Sequence, residues 1–160
     1  MTILIRPAVR GDARAIGEVR VQGWRETYAH FLSAELLDSL EPNEERWRDV
    51  IELGLGTFVV AELDGRVQGF AVSGPPAEVD APRDLELAMI YQLASLHGSG
   101  SGQAMLDEVI GQEPAYLWTA ELNPRAQAFY RRNGFIADGG RRVAEHWESL
   151  VEIRMVRWTA

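Results

Sequence analysis

The densest chemistry in this 160-residue chain lies in one loop. His97-Gly98-Ser99-Gly100-Ser101-Gly102-Gln103 alternates glycine with serine, directly after the apolar run Leu85–Tyr91 and directly before a helical pattern from Met105 to Ile110. Glycine admits positive φ and lets a ligand approach without a Cβ in the way. Backbone N–H groups leading into a helix start gather phosphate oxygens, and the helix dipole assists them. The segment therefore predicts a ligand that carries a diphosphate. It is not a P-loop, which needs Gly-Lys-Ser/Thr at its end, and it does not open a first βαβ unit as a dinucleotide fingerprint would.

The elements that must position this loop are legible around it. Ile3–Arg6 reads as a short strand, and Asp12 as the cap of a helix through Tyr28, with Ile16, Val19, Trp24 and Thr27 near one face. Ser33 caps a short helix bearing Leu36, Leu37 and Leu40; Asn43 caps another bearing Trp47, Val50 and Ile51, ended by Gly54 and Gly56. Thr57–Leu63, Asp64-Gly65 and Arg66–Ser73 read as a hairpin with a two-residue turn. A Pro-rich loop through Pro82 precedes the strand Leu85–Tyr91. After the glycine loop the helix runs to Ile110, with Gly111 just past its end. Ala115–Ala120 is a strand, and Asn123-Pro124 and Asn133-Gly134 bracket a helix. Phe135 starts a strand, Gly139–Leu150 reads as an irregular loop, and Val151–Arg157 is the last strand. This is an α/β (α+β) arrangement: one domain over residues 1–160, with a mixed central sheet and helices on both faces.

Composition excludes several classes of function. At 46% hydrophobic and 25% charged residues the chain has the balance of a globular domain. It has no cysteine, which removes disulfides, thiol nucleophiles and thiolate metal sites, and its three histidines are scattered, so no metal is expected. A net charge of −8 argues against a nucleic-acid partner. No apolar run is long enough to span a bilayer, and Met1–Pro7 lacks the features of a signal peptide, so a cytoplasmic protein with no membrane partner is expected. The acidity either favours cationic acceptors or serves only solubility.

A second motif follows the glycine loop: Asn123-Pro124-Arg125-Ala126-Gln127-Ala128-Phe129-Tyr130-Arg131-Arg132-Asn133-Gly134-Phe135. With both motifs in this order the chain resembles the GNAT superfamily of acyl-CoA-dependent N-acetyltransferases. That family has Gln/Arg-x-x-Gly-x-Gly/Ala after a strand, here His97-x-x-Gly100-x-Gly102. Its later Asn-x-x-Ala-x-x-Phe-Tyr-x-x-x-Gly-Phe pattern is met at Asn123, Ala126, Phe129, Tyr130, Gly134 and Phe135. The chain carries His97 for Gln or Arg, Ala94 for a common Pro, and Gln92 for a hydrophobic residue.

The resemblance implies a mixed sheet of about seven strands and acetyl-CoA as cosubstrate. Its diphosphate would lie on the amides of Gly98, Ser99, Gly100, Ser101, Gly102 and Gln103, with hydroxyl donors from Ser99 and Ser101. Ile90, Gln92 and Asn123 would complete the cofactor site, although an Asn before Pro is also a good N-cap. Tyr130 resembles the general acid that protonates the departing thiolate, or else is a core tyrosine. Glu86, on the opposite strand face from Leu85 and Leu87, is the expected general base, or else a plain surface carboxylate. Trp24 and Tyr28 either line the acceptor pocket or pack in the core, and Glu145 and His146 either face the acceptor or are solvated. The leading expectation is direct transfer of acetyl to a primary amine of a small molecule by a monomer or homodimer. Acetylation of a protein N-terminus or lysine, and a non-catalytic acyl-CoA sensor, are the alternatives.

Overall fold

The computed structural model describes residues 1–158; Thr159 and Ala160, the end of the expected 1–160 domain, lie outside the described residues. Twelve principal elements follow in chain order: β1 (Ile3–Pro7), α1 (Ala13–Tyr28), α2 (Ala34–Ser39), α3 (Glu44–Leu53), β2 (Thr57–Leu63), β3 (Arg66–Gly74), β4 (Glu86–Gln92), α4 (Ser101–Val109), β5 (Ala115–Ala120), α5 (Pro124–Arg132), β6 (Ile136–Ala144) and β7 (Leu150–Arg157). The strands form one seven-stranded sheet in the order β1-β2-β3-β4-β5-β7-β6. Every neighbouring pair is antiparallel except β4 with β5. No helix among the described residues is long and apolar enough to cross a membrane.

Strand alternation divides the core between the two faces. Val59, Ala61, Ala71, Leu87, Leu117 and Met155 turn toward Met105, Leu106 and Val109 of α4 and Tyr130 of α5. Val60 and Phe70 turn the other way, onto Ile16 and Val19 of α1 and Trp47 of α3. A third cluster joins the end of α1 to α2 and to the β6–β7 connection through Trp24, Tyr28, Leu37, Ala120, Leu150 and Trp147.

Local chemistry explains the boundaries. The Asp64-Gly65 turn has positive φ at both residues, +50° and +83°, as a tight hairpin turn demands. Ser33 accepts the Leu36 N–H at 3.1 Å and caps α2 as expected. Two other expected caps are not formed. Asp12 makes no cap bond to α1; its carboxylate receives both terminal nitrogens of Arg6, at 2.8 and 2.9 Å, and the Val9 N–H. A charged partner from β1 outcompetes the helix amides. Asn43 sits left-handed at φ +51° before α3, and its side chain caps nothing.

The expected loop 139–150 is also corrected. β6 continues through it to Ala144, with a register shift between Ala137 and Arg141. Asp138, Gly139 and Gly140 form the irregularity, Gly139 at φ +91°, so a bulge and an exposed edge strand erased the alternation that would have marked the strand. The turn Glu145–Trp147 then leads into β7.

Candidate functional site

β4 and β5 pair side by side only at Glu86 and Tyr116, where the Tyr116 N–H also donates to the Leu85 carbonyl. Beyond that point they separate. A bulge in β4 helps: Ser73 opposes Leu87 while the next residue back, Val72, opposes Met89, which leaves Ala88 unpaired and exposed. The result is a wedge-shaped cleft through the sheet. Ile90 faces the α4 side of it and Tyr91 the α1 side. Parallel strands whose ladder fails this early leave backbone groups free to pair with a ligand.

The glycine loop follows the end of β4 at the open end of the wedge. Gly98 and Gly100 take φ of +78° and +86°, and nothing lies within 4 Å of where a Cβ would stand at either. The openness the sequence implied is therefore real, but its physical basis is backbone conformation as much as clearance. The N–H groups of Gly98, Gly100, Gly102 and Gln103 have no protein acceptor among the described residues, whereas Ser99 N–H reaches Leu96 O and Ser101 N–H reaches Ser99 Oγ. Four unpartnered amides at the start of α4 make a nest for an anion.

The serine hydroxyls are committed elsewhere, contrary to expectation. Ser99 Oγ donates to Leu96 O at 2.6 Å, and Ser101 Oγ, buried, donates to Gln92 Oε1 at 2.8 Å. They shape the loop. Gln92 thus works from beneath it, its side-chain oxygen also lying 3.2 Å from the Cβ position of Gly102. The Gln103 amide side chain ties Asp107 to Asn133, linking α4 to the end of α5. His97 is exposed on the rim, and partial burial, reinforced by the nearby Arg125, pushes its pKa down.

Tyr130 lies across the wedge on α5, 8% exposed, packed against Phe129 and Phe135. Among the described residues its hydroxyl has no protein partner and no buried polar side-chain atom is sealed without one, so the hydroxyl keeps some access to solvent. Burial pushes the phenol well above its ordinary range, and the field of Tyr91 adds to the shift. Tyr28 and Tyr91 are raised for the same first reason. The charge of Tyr91 bears on both Tyr28 and Tyr130, and that of Tyr130 on Tyr28. Asn123 caps α5, accepting the Ala126 N–H at 3.2 Å.

The far wall is aromatic. Trp24 and Tyr28 are 5% and 9% exposed and pack edge to face at 4.7 Å. Both are therefore core residues first. The Trp24 indole presents no open wall but donates its N–H to Tyr91 Oη at 3.0 Å, fixing that phenol. Glu145 and His146 are exposed in the turn before β7. Neighbouring Trp147 turns inward, its ring 4.9 Å from that of Trp24. Glu148 receives both the N–H and the hydroxyl of Ser33 at 2.7 Å, clamping the β6–β7 turn onto the start of α2.

Glu86 does project to the side opposite Leu87, but to the closed end of the wedge. Its Oε1 accepts the Ala77 N–H at 3.1 Å and the Tyr116 hydroxyl at 3.2 Å, fastening the 75–84 loop to the sheet. Another carboxylate sits at the open end. Glu152 of β7 stands opposite Ala120, accepts from Arg142 at 2.9 Å, and contributes to the raised pKa of both Tyr28 and Tyr91. Sequence reasoning missed Glu152, Tyr91 and Arg20. Tyr91 closes the apolar strand before the loop, and Arg20 precedes Trp24 by one helical turn, so these two carried a signal; Glu152, in the alternating pattern of β7, carried none.

Comparison with known proteins agrees with this geometry. Residues 54–137 match the family model described as the acetyltransferase (GNAT) domain. The N-acetyltransferase YuaI of Bacillus subtilis is 30% identical over 161 residues, covering 96% of this chain and 88% of YuaI. An N-acetyltransferase of Mycobacterium bovis is 32% identical over 100 residues, covering 58% of this chain and 62% of the relative. Among solved structures, the PaiA N-acetyltransferase of Thermoplasma acidophilum, crystallised with coenzyme A, superimposes with a TM-score of 0.74 at 22% identity, over 96% of this chain and 98% of that one. A split sheet with an amide nest at the start of α4, joined to a matching family domain and a near full-length relative, identifies the chain as a member of the GNAT acetyltransferase family.

Proposed function

We propose that this enzyme moves the acetyl group of acetyl-CoA to a primary amine of a small molecule by direct attack. The observation that carries the reading is the wedge between β4 and β5, with four free amides at one end and the Tyr130 hydroxyl on its wall. A diphosphate fits the nest because the glycines leave open space and the α4 dipole adds favourable field. The pantetheine arm then lies along the unpaired edge of β4 past Gln92 and Ile90, beside Asn123.

Attack by a neutral amine on the thioester carbonyl forms the amide and breaks the C–S bond. Tyr130, held protonated by burial, gives its proton to the departing sulfur. The acceptor arrives mainly as an ammonium ion and must lose a proton first. Glu86 takes that proton through water, its second oxygen being free of protein donors among the described residues. Glu152 is the competing acceptor because its charge bears on the tyrosine cluster itself.

A small acceptor is the reading favoured over a protein, and the Ser33–Glu148 hydrogen bonds that tie the β6–β7 turn to the start of α2 support it. The test is acetyl-CoA-dependent thiol release across a panel of primary amines and lysine peptides, with the acetylated product identified by mass. Thiol release matched by an N-acetylated small amine is expected. Coenzyme A binding without turnover of any amine would leave a sensor module instead.

A further inference from the structure

Beside the aromatic wall lies a second cavity of about 500 Å³, on the outer side of α1. Arg20, Asn43, Arg46, Trp47 and Trp147 line it. Arg20 is half-buried, and its guanidinium stacks over Trp24 at 5.1 Å and Trp147 at 5.5 Å. No carboxylate among the described residues pairs with it, although eight ion pairs join other arginines to carboxylates there, as at Arg6 with Asp12 and Glu62.

Burial lowers the Arg20 pKa, and like charge from Arg46 adds to the effect, so the cation is held at a cost with no ion-pair partner among the described residues. Arg46 is exposed and lies over Trp47 at 5.8 Å. The positive end of α3, ten residues long, opens beside them without a side-chain cap. Two arginines, an uncapped helix start and a free Asn43 side chain around one cavity form an anion site. Its flat walls of indole and guanidinium suit a planar carboxylate bound in the guanidinium plane. Glu41 on the same lining, with Glu44 and Glu45 in the first turn of α3, disfavours a dianion.

We propose that this pocket holds the carboxylate of the acyl acceptor, which makes the substrate an amino acid with its amine and carboxylate well separated. The inference rests on the acetyltransferase reading above. Arg20 lies one helical turn from Trp24, whose indole holds Tyr91, and Arg20 and Tyr91 feel each other's charge. 5-Aminovalerate, which carries its amine and carboxylate at opposite ends of one chain, is the probe for such an acceptor.

The test titrates 5-aminovalerate, its carboxamide and inorganic phosphate into the full chain, read by tryptophan fluorescence, and then compares the two amines as acetyl acceptors. The carboxylate should bind at least tenfold more tightly than the carboxamide. Arg20→Met should erase that preference and Arg20→Lys should keep part of it. Arg46→Met, at an exposed site, gives the same reading if Arg20→Met does not fold, and Glu41→Gln should tighten carboxylate binding. Equal binding of the two amines, tighter binding of phosphate, or an undiminished preference in folded Arg20→Met or Arg46→Met overturns the proposal. Acetyl transfer to both amines without preference overturns the pocket and leaves the transferase reading standing. Carboxylate binding lost in Arg20→Met, with no transfer to any amine, supports the pocket and removes the transferase reading.

Discussion

The two ends of the wedge are built from different materials. At the α4 end the donors are backbone amides, exposed because Gly98 and Gly100 hold positive φ. At the aromatic end the groups are side chains, Tyr28 and Tyr91 on the α1 side of the sheet and Tyr130 on the α4 side, gathered from two helices and a strand. A backbone nest recognises a phosphate whatever acceptor follows. The aromatic end has to fit one substrate, and its parts are joined by contacts such as Trp24 Nε1 to Tyr91 Oη. Changes at the first end should therefore act on cofactor affinity, and changes at the second on turnover or acceptor choice.

The largest effect is expected at Tyr130. Tyr130→Phe should lower kcat about a hundredfold, as for loss of a general acid, while calorimetry shows unchanged coenzyme A affinity. Wild-type turnover in that variant would reduce the phenol to packing. Burial raises the Tyr130 pKa, so the acid form persists as pH rises. The wild-type rate should climb with pH as amine and base lose protons, with no falling limb below about pH 10.

A smaller effect separates the two carboxylates. Glu86→Gln should cut kcat/KM about tenfold at neutral pH, with the deficit shrinking at high pH where free amine is abundant. If Glu152→Gln shows that pattern and Glu86→Gln does not, the proton leaves by the open end of the wedge. The smallest effect is expected at Trp24. Trp24→Phe removes the donor to Tyr91 and some buried volume, for a loss of about 1–2 kcal/mol in chemical unfolding. Its coenzyme A affinity should stay at the wild-type value, and a tenfold loss there would break the separation between the ends.

The same contrast explains what could be read from the sequence. The glycine loop, the Asp64-Gly65 turn and the Asn123-Pro124 cap are local devices, and each stands where the residue pattern put it. Asp12 misled because its partner, Arg6, arrives from another element. The Ser99 and Ser101 hydroxyls misled because Leu96 O and Gln92 Oε1 claim them only once the loop has folded. β6 was hidden by the glycines of its bulge and by an almost wholly exposed burial pattern. The convergence of the tyrosines and the isolation of Arg20 depend on tertiary placement, which no periodicity encodes.

We propose that the α4 nest holds the cofactor through its backbone. Titrating coenzyme A calorimetrically into wild type and Gly100→Val tests it most directly. Gly100 sits at φ +86° with open space around its Cβ position, so valine meets no neighbour and acts through the backbone it forces. Left-handed backbone costs a residue with a Cβ about 1–2 kcal/mol, and its relaxation turns the amides out of line. Affinity in the folded variant should fall tenfold or more, about 1.4 kcal/mol. Undiminished affinity in folded Gly100→Val would contradict the claim and place the diphosphate elsewhere.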